Sequence, residues 1–349
     1  MRLSDRWLVA VKSFGVLALN LSALLAQGAE DPAANSALPL RLVADISLGG
    51  HATRLDYESY DAGRQLLFIA HLGDSTVIAF DTRRSQVVGR IPEIASAHGV
   101  LVIPEISRVY ASATGSNEIV AIDETTLKIV ARIPGGRYPD GMAYAPDAHK
   151  LYVSDETGET ETVIDVRSNT RIATIPLGGE VGNTQYDSGS RHIFVNVQSQ
   201  RQLVEIDPTT DQIVGRVELP GAEGNHGLLI EPQQRLAFIA CEGNDKLLVL
   251  DLRTMGIQSS FDVGKDPDVL AYDPGLHQLY VAGEAGIVSM FNVEAGKVSK
   301  IGDGHIGPNA HVVAVDGATH RSYYPLKNLR GQPTLRVMEP RGPGGMTPP

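Results

Sequence analysis

Four histidines, two aspartates and an asparagine recur along this chain at nearly constant spacing: His51, His98, Asp140, Asn183, His226, Asp268 and His311. The steps between them are 47, 42, 43, 43, 42 and 43 residues. Each opens an apolar or alternating stretch: HATRLDY, HGVLVIP, DGMAYAP, NTQYD, HGLLIEP, DVLAYDP and HVVAVD. Turn chemistry explains Asp and Asn at such a place, because both tolerate tight bends and bond nearby backbone. It gives no reason for four histidines. Imidazoles gathered at one point suit zinc or copper and leave an open position for water or substrate. An oxygen-rich set built on Asp140, Asn183 and Asp268 suits calcium instead. The competing structural reading is that each histidine bonds the loop before it.

What gathers these residues is a repeat. Each copy continues with a second apolar run (LLFIA, RVYAS, KLYVS, HIFVN, LAFIA, QLYVA, RSYYP) and a third (TVIAFD, EIVAID, TVIDV, QLVEID, LLVLD, IVSMFNV, TLRVME). The first four copies add a clear fourth: VVGRIP, IVARIP, RIATIP and IVGRVELP. The runs are short, rich in β-branched and aromatic residues, and bounded by Gly, Pro, Asp or Asn, which predicts strands. Four strands per unit of about 43 residues describe one blade of a β-propeller. The fold class is therefore all-β, a seven-bladed propeller spanning 40–338. The seventh unit has only three strands, and Leu40–Leu48 at the other end supplies the fourth, closing the ring and removing two exposed edges.

The units KLYVSDETGETETVIDVRSNTRIATIPLG and QLVEIDPTTDQIVGRVELP resemble the YVTN-type repeat of the YncE-like propeller family. Its signature is an aromatic-Val pair, then apolar-Ile-Asp, a Thr/Asn turn and Val-x-x-Ile before Gly. The resemblance covers 40–338 and implies a seven-bladed propeller, often exported. Some members of that family are reported to bind DNA.

In such a ring His311, His51 and His98 fall on three consecutive blades, and they form the expected metal set, for a divalent zinc or copper ion; the oxygen-rich half of the mouth is the alternative, for calcium. The loop after the second strand reaches the same channel mouth and carries Leu72, Thr114, Glu156, Gln198, Glu242, Glu284 and Asn328. Of these, Glu156, Glu242 and Glu284 could act as general base or further ligands. Together with Asp140, Asn183, His226 and Asp268 they make the expected ligand-binding set. His149, His192, His277 and His320 recur at the turn between strands one and two, on the opposite face, and read as turn residues. The aromatics Phe68, Tyr110, Tyr152, Phe194, Phe238, Tyr280 and Tyr324 read as inter-blade core. Cys241, the single cysteine, reads as a small buried hydrophobe near the mouth.

The ends and the charge set the context. Arg2, Arg6 and Lys12 precede an apolar run from Phe14 to Ala26, followed by Gln27-Gly28-Ala29. This is the pattern of a secretory signal peptide over 1–29, and the run is short of the ~20 apolar residues of a membrane span. The mature chain is therefore expected in the periplasm or secreted, without a membrane span. Residues 30–39 read as a linker and the Pro/Gly-rich 339–349 as a disordered tail. A net charge of −11 without a Lys/Arg run disfavours nucleic acid and anionic lipid as partners. No Gly-x-Ser-x-Gly elbow, P-loop or Cys-x-x-Cys pair is present. Three function classes remain: an exported binding protein for a small-molecule or protein ligand, a metal-assisted hydrolase, lactonase or lyase at the same mouth, and a protein-interaction scaffold using the blade rims.

Overall fold

A computed structural model describes residues 38–341. The expected signal peptide, most of the linker and the tail from 342 onward lie outside the described residues. Seven four-stranded sheets follow one another in chain order, and all their strand pairings are antiparallel. They are the blades of a seven-bladed β-propeller, numbered here 1 to 7 from the sheet that begins at Glu58.

The burial of each strand follows its place in the blade. Second and third strands, such as Leu66–His71 and Thr76–Asp81, are buried at almost every position because both faces meet neighbouring blades. Fourth strands, such as Gln86–Ile91, alternate between exposed and half-buried residues, the pattern of a sheet with one wet face. All seven aromatics assigned to the inter-blade core are fully buried there. The outward face of the fourth strand carries one exposed apolar residue in each of blades 1 to 4: Val88, Val130, Ile172 and Val214.

Blade 7 closes the ring as expected. Strand Leu40–Ser47 pairs with Gln332–Pro340, beside Arg321–Leu329 and the short inner strand Ala314–Asp316. The clasp is held by Arg336, whose Nε and Nη2 donate to Asp45 Oδ1 and Oδ2 at 2.8 Å each, while Nη1 donates to the Ile306 carbonyl at 2.6 Å. Two expected boundaries move. The last strand runs through Pro340, with Glu339 opposite Arg41, so it includes the first two residues assigned to the tail. Leu38, assigned to the linker, is buried in the core of the last blade.

Where inner and second strands pair, blades 2 to 6 share a register shift, for example between Ala97 and Val100 and between Asn225 and Leu228. These are β-bulges, which bend a strand and re-aim its side chains. The second bulge residue is often glycine for a reason visible in the next blade. A Cβ on Gly99 would lie 2.1 Å from the Asp140 carbonyl oxygen, and one on Gly227 would lie 2.0 Å from that of Asp268. The recurring His-Gly pair is thus a channel-facing side chain followed by the one residue that lets the next inner strand approach.

Two measurements check this account. Asp45→Ala removes the acceptor of two Arg336 hydrogen bonds in the clasp, and urea unfolding should show a loss of about 3 kcal/mol, the low end for breaking a buried pair because Asp45 keeps some solvent. Gly227→Ala forces the inner strands of blades 5 and 6 apart and should cost about 3 kcal/mol, the upper range for overpacking. An unchanged unfolding midpoint in either variant would contradict the stated contact.

Candidate functional site

The bulges of successive inner strands aim one residue per blade into the channel. Taking strand register rather than letter identity, the position is held by Asp56, His98, Asp140, Gly182, His226, Asp268 and His311. Five of the expected residues, His98, Asp140, His226, Asp268 and His311, are brought together here. His51 is not. Its side chain is 87% exposed and its Nδ1 lies 3.0 Å from Asp74 Oδ1, outside the channel. The expected metal triad His51–His98–His311 therefore does not form, and Asp56 stands between His98 and His311. Asn183 is also displaced by one residue, since blade 4 gives the ring position to Gly182.

The ring alternates acid and imidazole without a break. His98 Nε2 lies 3.1 Å from Asp56 Oδ2 and 3.8 Å from Asp140 Oδ1. His226 Nε2 lies 3.7 Å from Asp140 Oδ2 and 3.8 Å from Asp268 Oδ1. His311 Nε2 lies 3.9 Å from Asp268 Oδ2 and from Asp56 Oδ1, which closes the circle. Seven positions cannot alternate two residue types around a ring, and Gly182 removes the odd member. Second strands fix the ring backbone from behind. Ser112 Oγ donates to the Asp140 carbonyl at 3.0 Å, and Asn196 Nδ2 donates to the carbonyls of His226 and Gly227 at 3.0 and 3.1 Å.

Above the ring lies a cavity of about 520 Å³, lined by Glu156, Glu242 and Glu284 from the loops after the second strands, as expected, with Asp266, Arg54, Tyr57 and Tyr138 added. Its lining contains seven carboxylates and one guanidinium. Arg54 is committed: its Nε lies 2.7 Å from Asp56 Oδ2 and its Nη1 2.5 Å from Glu284 Oε1. Tyr57 forms the floor. Its hydroxyl donates to Asn183 Oδ1 at 2.5 Å and lies 3.4 Å from His226 Nε2, so it crosses from blade 1 to blades 4 and 5. Beneath it a second cavity of about 140 Å³ is lined by Val100, Met142, Leu228, Leu270 and Val313 together with Glu58. Burial pushes the Glu58 carboxyl well above its usual range.

The crowding of charge shows in the protonation of the mouth. Burial opposes a charge on His98, but Asp56 and Asp140 outweigh it and raise its pKa to about 10. His226 rises to about 9 against the same opposition, through Asp268, Glu242, Asp140 and Glu156. Asp56 is buried yet held below the usual carboxylate range by His98, His311 and Arg54. Asp268 goes the other way, to about 7, because burial, Asp56 and Glu242 outweigh its two imidazoles. Burial and Asp140 lift Glu156 to about 6, and burial lifts Glu242.

Two groups of side chains in the mouth could hold a metal ion: His226, Glu242 and Asp268, and Asp268, Glu284 and His311, with ligand atoms in each group within 4.8 Å of one another. Both include Asp268. The remaining candidates behave as structural residues. His149, His277 and His320 occupy left-handed turn positions, and His320 and His192 bond Asp273 and Glu205. Cys241 is fully buried among Leu219, Ala222 and Leu228, and burial pushes its thiol up to about 12.

Sequence reasoning missed Asp56, Arg54, Tyr57 and Tyr138. Asp56 had a signal: a step of 42 back from His98 lands on it, and DYESYDA at 56–62 parallels DVLAYDP at 268–274. The irregular step of 47 marked His51 as the misplaced copy. Arg54 and Tyr57 act through reach across the channel, which no repeat spacing encodes.

The chain matches no family model and no curated protein sequence. Among solved structures it is similar to a chain of Kuenenia stuttgartiensis hydrazine synthase, at 14% identity and a TM-score of 0.70, over 83% of this chain and 97% of that one. It is also similar to a chain of a mitotic checkpoint complex, at 13% identity and a TM-score of 0.73, over 93% of this chain and 98% of that one. These likenesses show the propeller fold alone.

The ring carries a pH signature. His98 binds its proton more tightly folded, near 10, than unfolded, near 6.5. Its contribution to stability is therefore complete below about pH 6.5 and is lost as pH rises through about 10. In chelator-containing buffer the melting temperature should fall across that window, with Arg54 staying charged and Asp56 ionised throughout. His98→Gln should flatten that limb, and an unaltered alkaline slope in the variant would refute the ring's protonation.

Proposed function

We propose that this protein is an exported propeller-type binding protein whose channel mouth takes a cation, either a metal ion or the cationic part of a small molecule. The observation that carries the reading is the charge of the mouth cavity, where seven carboxylates outnumber one guanidinium, already paired with two of them, and the imidazoles of His98 and His226. Buried carboxylates in excess are costly, and a bound cation offsets that cost. Export rests on the signal-peptide pattern of 1–29 and is checked by the N-terminal sequence of protein recovered from the export compartment. The rim favours a scaffold less: Val88, Val130 and Val214 each sit between polar neighbours on their strands, such as Gln86 and Arg90.

A second reading, a metal-assisted hydrolase or lactonase, draws on Glu156. A carboxyl lifted to about 6 beside the mouth suits a general base near neutral pH. Turnover of an ester or lactone that is lost in Glu156→Gln while cation binding persists would favour it.

The cation reading is checked by thermal shift with calcium, manganese, zinc and spermidine set against citrate and phosphate. Cations should raise the melting temperature, anions should not, and Asp140→Asn should reduce the cation response while Glu124→Gln on the opposite face leaves it intact. Stabilisation by the anions, or an undiminished response in Asp140→Asn, would sink the proposal.

A further inference from the structure

The two candidate metal groups share Asp268 and each adds one histidine and one glutamate, but they are not equivalent. We infer that a divalent first-row metal ion is bound by His226 Nε2, Glu242 and Asp268, and that the neighbouring group around His311 does not bind one. This rests on the cation reading above and names the ligand of that mouth.

Three observations fit an ion on the His226 side, and Arg54 then decides against the other. First, the ligand atoms are turned toward a common point, where His226 Nε2 has the Tyr57 hydroxyl 3.4 Å away as its hydrogen-bond neighbour. Asp268 is 4% exposed and its Oδ1 has no hydrogen-bond partner. That oxygen lies 3.8 Å from His226 Nε2, too far for a hydrogen bond and close to the span of two metal–ligand bonds of about 2 Å each. Second, His226 is oriented as ligating histidines are, a condition that His311 also meets through its Nδ1, 3.0 Å from the Asn309 carbonyl oxygen. The His226 Nδ1 lies 3.3 Å from Gln198 Oε1, an acceptor, so Nδ1 carries hydrogen and Nε2 faces the carboxylates. A ring nitrogen fixed in this way by its second hydrogen bond sets the tautomer a metal needs. The His226 carbonyl is held in turn by Asn196. Third, among the described residues Glu242 forms no ion pair with a lysine or arginine, and the charged groups that act on it most are His226, Glu284, Asp266 and Asp140.

The other group already has its cation. His311 Nε2 is equally spaced, 3.9 Å from Asp268, Glu284 and Asp56, and it has no hydrogen-bond partner. But Arg54 pairs with Glu284 Oε1 and with Asp56 Oδ2, and Asn309 Nδ2 donates to the other Glu284 oxygen. A metal ion there would have to displace the guanidinium from Glu284 and sit beside its charge. One imidazole and two carboxylates suit zinc or manganese rather than copper or a thiol-seeking ion.

The test is calorimetric titration of zinc chloride and manganese chloride into the chelator-treated full chain, with Glu242→Gln and Glu284→Gln compared. The wild type should take up one equivalent. Glu242→Gln should weaken binding at least about tenfold, as loss of a metal-orienting group does, and Glu284→Gln should leave the affinity unchanged. Both variants must keep the wild-type melting temperature in chelator; His226→Gln, at the other ligand that the two groups do not share, replaces Glu242→Gln if that variant fails this check. The visible spectrum of the cobalt-loaded protein should shift in Glu242→Gln and not in Glu284→Gln. A second equivalent, or equal weakening by Glu284→Gln, would overturn the assignment. So would no metal uptake, and spermidine then separates the two readings. If spermidine still stabilises the wild type but not Asp140→Asn, the cation-binding mouth stands and only the metal assignment falls. If neither binds, both fall.

Discussion

The structure depends on how closely seven inner strands can approach one axis. At the bulges of blades 2 and 5 the carbonyl of the next blade stands about where a Cβ would be, 2.1 Å away at Gly99 and 2.0 Å at Gly227. No side chain can point outward at those two spots, so His98 and His226 before them point into the channel. Channel-facing residues are thereby forced into a ring, whatever their chemistry. The chain must then choose side chains that can tolerate one another in a space that is largely closed to water.

Its solution is alternation. Each carboxylate in the ring has an imidazole on either side and each imidazole two carboxylates, so no like charges stand next to each other. An odd-numbered propeller cannot do this with all seven positions. Blade 4 supplies Gly182, whose own Cβ would collide with the backbone of His226, and Asp140 then reaches His226 across the missing side chain. Removing one partner from a buried set of this kind strands the other, which makes the ring cooperative in protonation as well as in packing. The backing bonds from Ser112 and Asn196 hold the ring residues in place from the second strands.

The fold was legible because propeller blades write their period directly: four short apolar runs, a step of 42 or 43, and a spare strand at the amino-terminal end. The site was legible where the period was followed and illegible where a letter was followed instead. His98, Asp140, His226, Asp268 and His311 lie on the period. His51 matched by letter alone, and its step of 47 put it in the loop before the strand, where it faces solvent. The Asp56 that replaces it changes the chemistry from a three-imidazole pocket to an alternating ring. Arg54 and Tyr57 were beyond reach for a different reason: their roles come from side-chain length across a channel, and a one-dimensional pattern carries no such distance. Asn183 was found for the wrong position, one residue past the ring, where it serves as acceptor for the Tyr57 hydroxyl.

Structural need accounts for the ring but not for what surrounds it. A closed set of three aspartates and three histidines could hold the blade entrances together and remain near neutral when the imidazoles are protonated. Glu156, Glu242, Glu284 and Asp266 add carboxylates to the same cavity, and no packing constraint on the inner strands requires them. Their cost is visible in the raised pKa values of Glu156, Glu242 and Asp268. A guanidinium relieves the strain on one side only, at Glu284 and Asp56. Tyr57 closes the floor, and the chamber below mixes apolar side chains with Glu58 and the neutral polar Ser59, Asn183, Thr184 and Gln185. A protein that needed only a stable ring would gain by replacing those glutamates with amides. Keeping them charged, on the face open to solvent and on the side that Arg54 leaves free, makes sense if a cation from outside completes the site.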